Sequence, residues 1–288
     1  MKRRKLSKAE REYRRGRRIF AYIAACASLV TALTGYISGL EKAGSIKSGI
    51  IQRINSLDPS DNIDVSDYSN TAVAFKLTES DGTEQQISIP QYDGTSLVYT
   101  VNNNNPYFTD ADMQFYSEYL SNSPLDKYGR AGQADAVVSI NTLRKGDRTD
   151  ISDIHPSGWY EAKQSTVPIQ RCHLIGSMIA DGAFNTNDES GTNFVSGTAS
   201  FNAGNKDVPG SMLDYEKMVI DCQEKEGILR YRVTPVFDGV DVTCHGVLME
   251  CDTIREGYDG TSVKFCVFIY NVEPGYVCNY LTGEWEEI

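Results

Sequence analysis

The stretch 212–237, MLDYEKMVIDCQEKEGILRYRVTPVF, changes its periodicity at Gly227. Before the glycine, Tyr215, Met218, Val219 and Cys222 fall at i, i+3, i+4 and i+7, which predicts an amphipathic helix burying those four side chains. Ser211 stands where an N-cap is needed, Asp214 follows three residues later, and Gly227 is placed to supply a left-handed C-terminal stop. Glu216 then lies beside the apolar stripe. After the glycine come three runs rich in branched and aromatic residues, ILRYRVTPVF (228–237), VDVTCHGVLMEC (240–251) and SVKFCVFIYNV (262–272), separated by Gly- or Asp-containing turns. An antiparallel sheet is the economical arrangement. A helix ahead of strands, without regular strand–helix alternation, places the chain in the α+β class.

Upstream, AVAFKLTESDGTEQQISIP (72–90) reads as two short strands around an Asp81-Gly82 turn, and residues 41 to about 60 read as a polar stalk. VNNNNPYFTD (101–110) is turn-rich, and DADMQFYSEYL (110–120) is expected to form a short amphipathic helix. The 288 residues allow one sizeable domain with an appendage but not two large domains.

The appendage is at the N-terminus. Residues 1–18 hold ten Lys or Arg against two Glu, a net of +8, so the rest of a chain with total charge −11 carries −19. The next twenty-two residues, IFAYIAACASLVTALTGYISGL (19–40), contain no charged side chain and suffice for a transmembrane helix. The flanking basic block predicts an inside N-terminus and an outside C-terminus. A cleaved signal peptide shares this layout with a shorter apolar middle, and either reading exports residues 41–288. The expected organisation is therefore a basic cytoplasmic segment (1–18), an anchor or signal sequence (19–40), a stalk with a lead-in hairpin (41–90) and a catalytic domain (91–288). Export makes disulfides feasible among the six cysteines beyond Cys26, without choosing a pairing. No CxxC or HxxxH pair suggests a structural zinc site.

Three histidines occur, at 155, 173 and 245. His245 alternates within a strand pattern and His155 precedes a proline, which suits structural or solvent-facing roles. His173 directly follows Arg171 in QRCHLIG (170–176), with Asn193, Asn202 and Glu216 downstream. Phosphodiester cleavage needs a base to activate water, a cation to neutralise developing charge, and donors to hold the phosphate. His173 supplies the first. Asn202 offers an amide oxygen to a hard Mg²⁺ ion that keeps its waters, Arg171 a guanidinium for phosphate, and Glu216 a carboxylate to orient metal-bound waters. Cys172 is a poor nucleophile here, because neighbouring strand residues point to opposite faces and His173 does not reach it.

An ordered series of motifs accompanies this cluster: IPQYDGTSLVYTVNNNNPYF, SPLDKYGRAGQA, HPSGW, QRCHLIG, GTNFVSGTASFN, MLDYEKMV, RYRVTPVF and YNVEPGYVCNYLTGE. In this order, over about two-thirds of the chain, they resemble the DNA/RNA non-specific endonucleases of the ββα-metal (His-Me finger) group, particularly streptococcal secreted and membrane nucleases. The resemblance implies a ββα-metal finger packed on an antiparallel β-sheet, an endonuclease acting on DNA and RNA, and a cofactor of Mg²⁺ with Mn²⁺ as a substitute. It implies His173 as general base, Asn202 as the protein's metal ligand, Asn193 as a second amide near the site and Glu216 as the acid that steadies metal waters. Arg171, and Arg130 in SPLDKYGRAGQA, would meet the substrate. The lipid bilayer is a further partner through residues 19–40, and no protein partner is implied.

Gln170 and Cys172 depart from the family's Asp-Arg-Gly-His motif, where Asp and Gly are usual, and AGNKDVPGS (203–211) looks like an insertion. The lost carboxylate and the −19 body motivate an alternative: a membrane-tethered nucleic-acid-binding protein of the same fold without catalysis, since binding nucleic acid usually relies on a basic surface.

Overall fold

The computed structural model describes residues 72–159, 162 and 166–287. The expected anchor at 19–40 and stalk at 41 to about 60 lie outside the described residues. Among the described residues no helix is long and apolar enough to cross a membrane.

The chain opens with the expected hairpin, β1 (Val73–Thr78) paired antiparallel with β2 (Glu84–Ile89). Gly82 at the turn has φ +86°, a conformation that favours glycine. There follow β3 (Val98–Thr100), β4 (Tyr119–Asn122), β5 (Ala134–Val138), β6 (Ile169–His173), helix α1 (Ser177–Ala180), β7 (Phe194–Thr198) and the helices α2 (Ala199–Ala203) and α3 (Met212–Glu224). The C-terminal part holds β8 (Ile228–Val236), β9 (Gly246–Arg255), β10 (Lys264–Tyr270), β11 (Tyr276–Asn279) and β12 (Glu284–Glu287). The main sheet has six strands in the order β3-β10-β9-β8-β5-β4, antiparallel throughout, while β6-β7 and β11-β12 form separate hairpins.

Both faces of this sheet are covered. Leu229, Tyr231 and Val233 of β8, with Val247, Met249 and Cys251 of β9, face β6, β7 and the helices, meeting Cys172, Phe201, Met212 and Val219. Leu248, Cys266 and Phe268 face the other way, toward Leu97, Val101 and the β1-β2 hairpin. Strand alternation also turns Arg230 and Arg232 to that second face. There Arg232 Nε donates to Glu250 Oε2 at 2.7 Å, and Arg230 pairs with Asp135 and, at 3.3 Å, with Asp112. All six cysteines of the described part are buried free thiols.

Helix α3 begins as expected, with the Ser211 hydroxyl accepting from the Asp214 amide. Two details differ. The left-handed residue at its end is Glu226, φ +66°, not Gly227. Gly227 is required by crowding instead: a Cβ there would lie 2.4 Å from Cys222 Sγ and 2.9 Å from Cys222 O. The buried stripe runs through Met212, Val219, Cys222 and Gln223, leaving Met218 43% exposed. Glu216, at i+4 from Met212 and i−3 from Val219, falls in line with this stripe and is itself half-buried.

The segment 110–120 is not a helix but a turn leading into β4. The Asp112 carboxylate explains the difference, since it accepts from the Thr109 amide and hydroxyl, from Ser80, and from Arg230 beneath the sheet. Those bonds hold Asp112 in a local turn that competes with helix formation.

Candidate active site

The β6-β7 hairpin carries the histidine. His173 closes β6 opposite Phe194, whose ring lies 4.3 Å from the imidazole between centroids. Gly197 lets α2 pack tightly on this hairpin: a Cβ there would come 2.4 Å from Phe201 Cδ1 and 2.8 Å from Cys172 Sγ. Two strands followed directly by a helix form the small ββα unit expected from the sequence.

His173 is 9% exposed, and burial, its largest influence, draws its pKa down to about 4. Asn187 and Asp181 act in the opposite sense, and the Arg148 and Arg144 guanidiniums reinforce the lowering. The imidazole is therefore neutral at neutral pH. Nε2 lies 2.9 Å from Asn187 Oδ1, and Nδ1 has no hydrogen bond among the described residues.

Glu216 reaches the segment following the histidine. A Cβ on Gly176 would stand 2.7 Å from Glu216 Oε1, so glycine is what permits the carboxylate to approach the chain there. Part of the Glu216 residue keeps solvent contact, but its carboxyl group is enclosed by protein, and burial pushes its pKa up to about 7. Asn202, on α2, donates from Nδ2 to Gln170 Oε1 at 2.6 Å. Asn202 and Glu216 thus meet opposite ends of the 170–176 segment that has His173 at its centre. Among the described residues no hydrogen bond joins His173 directly to either.

The other sequence-expected residues are structurally engaged. Asn193 is fully buried; its Oδ1 accepts from the Ile175 amide at 3.0 Å and its Nδ2 donates to Ile175 O and Thr186 O. It closes the excursion 174–193 and has no group left for the reaction. Arg171 donates to the backbone oxygens of Ser152 and Ile154 and lies 4.0 Å over the Trp159 ring, fastening the 152–159 loop to β6. Arg130 is held by Asp126, by Gly239 O and Asp241 O at 3.0 Å, and by the rings of Tyr128 and Phe237, so its guanidinium already has partners within the fold. Arg230 and Arg232 are in the buried ion pairs of the opposite sheet face, so neither is free to line a positive groove. Burial raises the Cys172 thiol far above its ordinary range, so it is no nucleophile.

Two groups near the histidine escaped sequence reading. One is Asn187, hidden in the polar run 185–190, NTNDES. The other is the basic loop with Arg144, Lys145 and Arg148. Arg144 donates to Ser177 Oγ at 3.0 Å, which holds it half-buried near the site, while Lys145 and Arg148 are exposed. Both guanidiniums act electrostatically on His173. Three cations in five residues are a local signal, but only folding brings them to the histidine.

Fold and site define a class first: a hydrolytic enzyme whose histidine sits on a hairpin followed by a short helix, packed on an antiparallel sheet. Residues 112–253 match the family model for DNA/RNA non-specific endonuclease, and over this stretch the chain resembles that family. It is a non-specific nuclease. Among solved structures, NucA from Streptococcus agalactiae with no metal bound is similar at TM-score 0.57 and 24% identity, over 69% of this chain and 89% of NucA. The same protein with magnesium ion bound gives TM-score 0.58 at the same identity and coverage. At this identity the likeness establishes the fold. No curated protein matches the chain.

Proposed function

We propose that this nuclease hydrolyses phosphodiester bonds of DNA, and of RNA, with His173 as general base and a hard divalent cation, Mg²⁺, as cofactor. The observation that carries the reading is the buried imidazole, neutral because its pKa lies near 4, beside the Arg144 and Arg148 guanidiniums. A neutral imidazole is ready to take a proton from water, and adjacent cations suit a phosphate.

The residues fit such an ion. What the site offers is the Asn202 amide oxygen and the Glu216 carboxylate, whose raised pKa reflects burial without a compensating cation. Oxygen donors few in number suit Mg²⁺, which keeps several waters. Asn202 would hold the ion and Glu216 its waters. When bound, it supplies charge stabilisation at the phosphate oxygens.

The chain's own residues perform the remaining tasks. His173 accepts the proton of the attacking water as the new P–O bond forms and the bond to the leaving oxygen breaks. Arg144 and Arg148 hold the phosphate, and Phe194 keeps the imidazole plane fixed. Residues 19–40 serve as membrane anchor or signal sequence and place the catalytic domain outside the cell, a reading that fractionation with protease accessibility of the intact chain tests.

Plasmid DNA and RNA incubated with purified protein should be degraded, with activity lost on EDTA treatment and restored by Mg²⁺. His173→Ala should lower kcat on the order of 10²-fold or more. Full activity in that variant sinks the base assignment, and insensitivity to EDTA sinks the metal.

A further inference from the structure

We propose that Asn187 and Asp181 are positioning residues that fix the tautomer of His173, with the proton on Nε2, and thereby make Nδ1 the atom that accepts the proton from water; this rests on His173 being the base. The argument is a chain of forced hydrogen-bond directions. Asp181 Oδ2 lies 3.1 Å from Asn187 Nδ2. A carboxylate only accepts, so the Asn187 amide must turn its nitrogen to Asp181 and its oxygen to the histidine. That oxygen, 2.9 Å from His173 Nε2, also only accepts, so Nε2 must carry the hydrogen. A neutral imidazole has one such hydrogen, and its other nitrogen, Nδ1, is left with a free lone pair.

Both partners are held in place. Asp181 directly follows α1, its amide bonded to Ser177 O at 3.1 Å. Its Oδ1 accepts from the Thr186 hydroxyl at 3.1 Å and, more weakly, from the Thr186 amide at 3.4 Å. The Asn187 backbone N–H donates to Asn185 Oδ1 at 3.1 Å, so residues 181–187 form one hydrogen-bonded turn that presents a single acceptor to the imidazole. Phe194 against the ring opposes rotation about the bonds that would exchange the two nitrogens. The charged groups acting on His173 are Arg144 and Arg148 on one loop and Asp181 on the turn. Asp181 is therefore the carboxylate behind the base, acting through an amide and not through direct contact. When Nδ1 takes its proton, the imidazolium keeps its Nε2–H bond to Asn187 Oδ1.

Imidazole ¹⁵N NMR on the full chain at pH 7.5, with His173 assigned by its loss in His173→Gln, reads the tautomer directly. Wild type should show Nε2 protonated. Asp181→Asn frees the Asn187 amide to rotate and should yield a mixture or the Nδ1–H form, with kcat down on the order of 10²-fold and KM little changed. Asn187→Asp retains an acceptor and should retain the Nε2–H form and most of kcat, with the acid limb of the pH–rate profile moved upward by the added carboxylate. Should Asp181→Asn fail to fold, Asn187→Leu supplies the same contrast. An Nδ1–H imidazole in wild type, or an unchanged spectrum and kcat in both Asp181→Asn and Asn187→Leu, overturns the proposal. Full activity of His173→Ala would instead refute the base itself, with the spectrum still showing whether Asn187 sets the tautomer.

Discussion

Glu216 and His173 lie near each other in the fold but respond to burial in opposite senses. Burial destabilises the charged form of each, which for the acid is the deprotonated one and for the imidazole the protonated one. The Glu216 pKa rises from 4.5 to about 7, so its contribution to stability is complete below pH 4.5 and is lost as pH rises through 7. The His173 pKa falls from 6.5 to about 4, so its contribution is present above pH 6.5 and is lost as pH falls through 4. In metal-free protein, Glu216→Gln should therefore raise stability above pH 7, on the order of 1–2 kcal/mol, allowing for its partial exposure, and leave it little changed below pH 4.5. Urea unfolding of the two proteins at pH 4.5 and 8 checks this. The same variant should lose activity, because a neutral amide cannot serve as the charged partner of a cation's waters. A Gln variant no more stable at pH 8 would show that the ionised carboxylate is well solvated.

At the scale of elements, the core strands were the most legible part of the sequence. β8, β9 and β10 announce themselves by branched and aromatic runs, and α3 by its i, i+3, i+4, i+7 spacing and its Ser211 cap. The periodicity did not fix which stripe is buried: Tyr215 and Met218 border an open groove, while Glu216 turns inward against Gly176. Segment 110–120 misled because Asp112 bonds to Thr109, Ser80 and Arg230, contacts of which the last two are remote in sequence. The histidine was legible from its motif. Asn187 and Arg144 were not, since their relation to it arises from the folding of loops. Arg232 shows how a charge in a strand can be misjudged: with Glu250, both essentially buried, it links β8 to β9 and is bonded at 2.7 and 3.0 Å. Arg232→Met alone should destabilise the fold by roughly 3–5 kcal/mol by leaving Glu250 unpaired. Adding Glu250→Leu should recover much of that loss, and denaturant melts of the single and double variants decide it. Nuclease activity per folded molecule should stay near wild type in both, which a groove role for Arg232 would not allow.

Across the whole molecule the difficulty is charge, since the part beyond residue 18 carries −19 and must still admit a polyanion. The structure sharpens this, because Arg130, Arg230 and Arg232 are committed to internal partners and Arg171 to the 152–159 loop. Among the described residues, the accessible cations near His173 are those of the 144–148 loop, where Arg148 and Lys145 are exposed and Arg144 is fastened to Ser177. A substrate held by so few cations releases few counterions, so binding should be weak and its salt dependence shallow, with each phosphate contact contributing a slope of about 0.9 for duplex DNA in log K against log salt. Arg148→Glu should raise KM several-fold, with kcat reduced less, and flatten the salt dependence of kcat/KM by about one such contact. Its melting temperature should stay within about 1–2 °C of wild type, since an exposed side chain without a buried partner is being replaced. Rates measured from low to moderate salt at fixed free Mg²⁺ separate this from a fold defect. An unchanged KM and slope would move the phosphate contact off this loop, leaving Arg144 and the bound cation to hold the substrate.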